Sequence, residues 1–472
     1  MLVTHWSAGV AEPGTHRRTG RGAWGYSDAV PDRASSHPHR AHRAAADGSR
    51  LPGLLIAVGA VLVLALFGVY LVVDPGKDSD AKAAATTGSS ASMPMSMPMP
   101  AATAAAGVAG TTAAGGVDVY AHARAGMFSP IVRDDPQYVY VPNLADGTVT
   151  VIDQQTMRVI GSYATGSEPQ HVVPSWDLRT LWVNNNRGNS LSPIDPRTGR
   201  LAGPAVPVAD PYNLYFTPDG SYAMVIAEAN HDIDFRDPHT MALRHSLDVG
   251  TQCAGVNHVD FSVDGSYAIA TCEFAGRLVK IDLVHQTVLG YLDLGRTSAP
   301  QDIKIDPSGQ VWYVADMNAD GVHLIDGDHF TKVGFVRTGP ETHGLYPSRD
   351  GRFLYVANRG GQMASMKPPF PHAGDQGSVS VISFATRSVV ATWSIPGGGT
   401  PDMGNVSADG TRLWLSGRRS NVVYVFDTGG AGGADPSAGK LLTKIPVGRE
   451  PHGLTVWPQP GRYSLGHTGI MR

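Results

Sequence analysis

The chain has 472 residues, a formal net charge of −4 and only 17% charged residues, so no basic field speaks for nucleic acid as a partner. Its 56 glycines suit a turn-rich β protein better than a helical one. Two cysteines, Cys253 and Cys272, exclude both a multi-bridge disulfide framework and a zinc-finger spacing.

Residues 1–50 carry seven arginines and are predicted to form a disordered tail. Residues 51–73, LPGLLIAVGAVLVLALFGVYLVV, are 23 residues without a charge, enough to cross a hydrocarbon core of about 30 Å as one helix. A cleaved signal peptide would have a shorter apolar stretch nearer the start, so an uncleaved single-pass anchor in the cell membrane is predicted. Arginine is concentrated before this stretch, whereas Asp74, Asp78 and Asp80 follow it. The positive-inside bias therefore makes the N-terminus cytoplasmic and everything after residue 73 extracytoplasmic.

Residues 74–130 read as a low-complexity extracytoplasmic linker, rich as far as about residue 117 in Ala, Thr, Ser, Gly and Pro, which bury too little surface to offset the entropy of ordering. Within it MPMSMPMP sets Met93, Met95, Met97 and Met99 at alternate positions. This is either plain spacer or a soft-metal tether, since flexible thioethers select Cu(I) without needing a fold.

From residue 131 onward the chain repeats. Each unit is an apolar inner strand, an Asp-Gly turn, a second strand rich in Tyr, Trp and Val, a polar loop, and two further strands. Aligned on the turns, equivalent inner-strand positions fall at His171, Asn213, His258, Asp302, Gly344, Met403 and Gly453, with gaps of 42, 45, 44, 42, 59 and 50. Seven four-stranded units at such a period predict an all-β, seven-bladed β-propeller over residues 131–472. The turns Asp219-Gly220, Asp264-Gly265, Asp350-Gly351 and Asp409-Gly410 suit tight hairpins between first and second strands. The run from Tyr138 to Ala164 supplies three strands without an inner one, and His452 to Trp457 is an inner strand without successors. The two are predicted to share one blade, closing the ring by strand exchange and removing two free edges.

The segments YVYVPNLADGTVTVID, FLYVANRG and EPHGLTVWP resemble the YVTN-repeat seven-bladed β-propellers, an extracytoplasmic family. The resemblance covers about 340 residues and implies the fold. Related propellers include surface-layer proteins, the haem-binding propeller of dissimilatory nitrite reductase, the copper-binding propeller of nitrous oxide reductase, and lactonases. This chain has no Cys-x-x-Cys-His for attaching a c-type haem and no separate cupredoxin-like domain.

Ligand-type residues gather where the inner strands begin: His171, His258, Asp302, His343, Asp402 and His452. Loops from second to third strands add His231, Met317 and Arg359, and the enlarged loop 360–377 adds Met363, Met366 and His372. His343, Asp402 and His452 share one register, and His171, His258 and Asp302 fall one residue later. Strand alternation therefore predicts that one set lines the channel and the other packs between blades. A histidine here either hydrogen-bonds a neighbouring carbonyl or joins a metal site. His171, His258, His343, His452 and Asp402 form the candidate metal set, with copper as the ion that imidazoles and nearby methionines favour. Cys253 and Cys272 lie near each other across a hairpin and are a disulfide, two buried thiols or metal ligands. Trp182, Trp312, Trp393 and Trp414 read as blade packing.

No Gly-x-Ser-x-Gly, His-Glu-x-x-His or Gly-x-x-x-x-Gly-Lys occurs. The leading expectation is a membrane-anchored scaffold that binds a protein partner or small ligand at the histidine-bearing top face and is not an enzyme. The alternatives are a metal-handling or redox protein holding copper or a haem-type cofactor, and a lactonase-type hydrolase.

Overall fold

Seven antiparallel sheets follow one another along the chain in the computed structural model, which describes residues 110–111, 116–361, 376–430 and 433–472. The expected tail, anchor and methionine tether, and the loop residues Met363, Met366 and His372, lie outside the described residues. Among those described, no helix is long and apolar enough to cross a membrane.

Each of these seven is one blade, and in blades I to VI the strands run in chain order from the axis outward; Gly110–Thr111 and Val117–Asp118 form a further two-stranded sheet. The inner strands of blades I to VI are Pro169–Pro174, Pro211–Phe216, Val256–Phe261, Pro300–Ile305, Thr342–Pro347 and Pro401–Val406. Six blades have four strands. In blade I the outermost position is split between Arg200–Leu201 and Val206–Pro207. Inner strands are buried along nearly their whole length, whereas outer strands such as Thr331–Arg337 are largely exposed. The hairpin glycines Gly220, Gly265, Gly351 and Gly410 all have positive φ, between 66° and 77°, which only glycine adopts freely. The aspartate before each accepts a hydrogen bond from a Ser or Thr two residues earlier, as Asp264 does from Ser262 at 2.8 Å.

Blade faces are apolar, and each covers its neighbour. Tyr140, Val149 and Val151 of blade VII pack with Val172, Leu181, Val183 and Ile194 of blade I, for example. Trp182, Trp312, Trp393 and Trp414 are all buried in such clusters. Blade VII combines Thr455–Trp457 with Tyr138–Asn143, Thr148–Asp153 and Arg158–Ala164, and Tyr138 lies opposite Trp457. The ring is closed by strand exchange between segments more than 300 residues apart; the Gln154 side chain, which donates to the Trp457 carbonyl, is 303 residues away from it.

Two segments outside the blades also pack on the ring. Residues 116–130, which composition assigns to the linker, include Val119, Tyr120 and Ala123, buried against blade residues. Small residues dominate only up to that point, and a few well-placed apolar side chains suffice to dock the remainder. After the closing strand, residues 458–472 run along the inner strand of blade II. Phe216 donates its backbone N–H to Leu465 and His467 donates to Leu214, at 3.0 and 2.9 Å. Gly466 permits this approach, since a Cβ there would lie 2.5 Å from the Leu214 carbonyl oxygen. Leu465 and Ile470 join the core between blades II and III.

Candidate functional site

Every inner strand carries one extra residue at its entry. In blade I, Pro169 faces Asn185 but Val172 faces Val183, so three steps on one strand match two on the other. The same shift occurs between Val256 and Val259, Pro300 and Ile303, Thr342 and Leu345, and Pro401 and Gly404. In blade VII, Pro451 lies opposite Asn143 and Thr455 opposite Tyr140. A bulge twists the strand locally and breaks the two-residue alternation.

The expected segregation of the two histidine registers is therefore corrected: both turn to the axis. The His171 ring centroid lies 4.9 Å from that of His452 and 5.9 Å from that of His258, and His258 lies 6.1 Å from His343. Small residues make the room. A Cβ on Gly453 would sit 2.0 Å from Cδ2 of His171, so blade VII can place a histidine at 452 and blade I one at 171 only because 453 is glycine.

A fifth imidazole comes from the segment after the closing strand. His467, with φ of 55°, is fully buried, and its Nε2 lies 3.1 Å from His258 Nδ1. Its ring stacks near Tyr215, and its Nδ1 is 3.1 Å from the Thr468 hydroxyl. His467 is the residue of this cluster that the repeat pattern misses, because it lies outside the repeat; the glycines around it in SLGHTGI are the only local signal.

Hydrogen bonding sets the tautomers. His171 Nδ1 lies 2.9 Å from the Tyr212 carbonyl and His452 Nδ1 lies 3.2 Å from the Gln170 carbonyl. A carbonyl only accepts, so both nitrogens carry the proton and Nε2 presents a lone pair. Nε2 of His171, His258 and His452 is buried without a hydrogen-bond partner, as is Oδ2 of Asp402. Oδ1 of Asp402 accepts from Arg359 Nη2 and Nε at 2.6 and 2.9 Å. His343 Nδ1 approaches the same oxygen at 3.1 Å, at an angle that makes no hydrogen bond. His452 Nε2 stands 3.8 Å from Asp402 Oδ2.

Burial holds all five imidazoles below the ordinary histidine range, His171 to about 3. Cationic Arg359 and Lys304 nearby act in the same direction at His258. The rings are therefore neutral, the form that binds metals. Three buried carboxylates of the inner strands each have a cation: Asp402 has Arg359, Asp302 has Lys304 at 2.5 Å, and Asp260 has Arg472 at 3.1 Å. Asp302 also accepts the Leu345 N–H, which fixes it as a strap between blades IV and V. Two groups of side chains bring one ligand atom each within 4.8 Å of one another: His171, His258 and His467, and His343, Asp402 and His452.

The first residue after the second strand carries a charged or sulfur side chain in five blades. Glu228 and Glu273 stand in blades II and III, Met317 in IV, and Arg359 and Arg418 in V and VI. Burial raises both glutamate carboxyls, and the charge of Glu273 raises Glu228 further. Glu273 accepts from Asn257 at 3.0 Å, and Met317 Sδ lies 3.4 Å from Arg359 Nη1. His231 is in the same loop as Glu228 and belongs to neither cluster. Cys253 and Cys272 form a disulfide, Cα atoms 4.7 Å apart, at the entry to the strand that carries His258.

A family model described as YNCE-like beta-propeller matches residues 97–460. No curated protein sequence matches the chain. Among solved structures, the "putative 6-phosphogluconolactonase" of Bacteroides uniformis is similar at 18% identity and a TM-score of 0.53, over 68% of this chain and 99% of that one. Its counterpart from Bacteroides fragilis is 17% identical with a TM-score of 0.53, over 70% and 100%. A functionally unknown protein from Desulfotomaculum acetoxidans is 14% identical with a TM-score of 0.54, over 68% and 98%. At these identities the likeness is one of fold.

Proposed function

Because the chain belongs to the YNCE-like β-propeller family, whose fold is a scaffold around an axial channel, we propose that it is a membrane-tethered, outward-facing propeller that holds a transition metal ion, copper by preference, on its axial imidazoles. One observation carries this: His452 Nε2 and Asp402 Oδ2 are buried and unpartnered in one cluster with His343, and Nε2 of His171 and of His258 are buried and unpartnered in a second cluster with His467. An unsatisfied buried polar atom costs about 1–3 kcal/mol, and a metal ion would satisfy several at once. The backbone carbonyls that accept from His171 and His452 serve as the outer-shell partners that orient metal-binding histidines. Copper is favoured because it leads the divalent affinity order at nitrogen sites, and because Met93, Met95, Met97 and Met99 would supply Cu(I) to the channel.

The test is elemental analysis of the full chain, purified in detergent, loaded with copper and freed of excess. Stoichiometric copper is expected in the native chain, with a clear loss in the His343→Ala/His452→Ala double variant. Copper at background in the native chain would remove the metal reading. The scaffold would then be read as binding a small ligand near Glu228, Glu273, Arg359 and Arg418, whose charges act on one another.

A further inference from the structure

Resting on that metal reading, we propose that the axis takes two metal ions, the second bound by His171, His258 and His467, so that the segment after the closing strand completes the site. The ligand atoms fall into two groups with no shared member. One is His343, Asp402 and His452, in the upper register. The other is His171 and His258 from the lower register with His467 reaching in beneath them.

The lower group has the features of a ligand set. Its three rings are fully buried. His171 offers a bare Nε2 whose tautomer is fixed by the Tyr212 carbonyl. The 3.1 Å between His467 Nε2 and His258 Nδ1 is close to the edge of about 3.3 Å that joins two nitrogens bound to one tetrahedral ion at 2.0–2.1 Å. Centroid distances of 5.0 Å for His258 and His467, and 5.5 Å for His171 and His467, keep the rings around one point.

His467 is held there by design of the backbone. It sits in the left-handed region between Gly466 and the Thr468-Gly469 pair, and its N–H donates to Leu214. A non-glycine residue in this conformation is uncommon and persists where its surroundings enforce it. Its ring stacks near Tyr215, and its two nitrogens face His258 Nδ1 and the Thr468 hydroxyl, each at 3.1 Å, with no carboxylate to hold it: Asp302 is 3.9 Å away and already bonded to Lys304. Three neutral imidazoles suit Cu(I) or Cu(II) and leave the upper site its own carboxylate.

The experiment is copper stoichiometry of the full chain by elemental analysis, for the native protein, His467→Gln and the His343→Ala/His452→Ala variant, each checked for a native melting transition. Two equivalents in the native chain, falling to one in either variant, support the proposal. One equivalent in the native chain overturns it while leaving the metal reading in place, and none overturns both. His467→Cys supplies a second measurement if His467→Gln fails to fold. With Cu(II) bound, a thiolate at 467 is expected to give an intense visible absorption, and its absence from folded, copper-loaded protein would show that residue 467 does not touch the ion.

Discussion

A buried histidine is inexpensive when both ring nitrogens are satisfied, and His171 and His452 satisfy only one. His171 and His452 each donate to a carbonyl of the next blade and leave Nε2 bare. Gly453 is the residue on which this depends. Ala at 453 would drive a methyl into His171 Cδ2, and overpacking of this kind costs about 1–3 kcal/mol. Gly453→Ala is therefore expected to lower urea stability by that amount and to reduce copper retention severalfold; full retention would show that the position of His171 does not matter to the site. The histidines themselves were legible in the sequence, because the repeat spacing placed them at blade entries. Their convergence was not, since one bulged residue per strand is invisible to a two-residue period.

At the level of the strand, the closing segment has the largest effect. Leu454, Val456 and Trp457 are fully buried, and each contributes about 1.5–3 kcal/mol on burial. Truncation after Pro451 removes them, along with His452 and His467, and bares the edge of Tyr138–Asn143. An exposed apolar edge templates association, so the truncated chain is expected to aggregate, as read by size-exclusion chromatography, and a soluble, monomeric, cooperatively melting product would refute the role given to this strand. This pairing could be read from the sequence, because three strands without an inner partner and one inner strand without successors complement each other. The path of residues 458–472 could not, because Leu465, His467 and Ile470 follow neither the strand nor the helix period.

For the molecule as a whole, the proposed arrangement is a ring held outside the membrane by residues 51–73. Deleting those residues should move the protein from the membrane fraction to the soluble fraction of the producing cells while leaving its melting transition unchanged. Persistence in the membrane fraction would sink the anchor. The loops after the second strands illustrate the limit of reading function from the repeat: Glu228, Glu273, Arg359 and Arg418 recur at the blade period, but that the charges of Arg359 and Arg418 reach Glu273 follows from closure of the circle.

Strand exchange also imposes a schedule. Tyr138–Asn143 leaves the ribosome more than 300 residues before the strand that pairs with it, Gln154 and Trp457 being 303 apart. Until that later stretch is synthesised, the growing polypeptide can be no more than an open horseshoe. Non-local pairing of this kind makes folding slow. The imidazoles at 452 and 467 join the axis only in the final step, so the proposed metal sites are incomplete until the circle has formed.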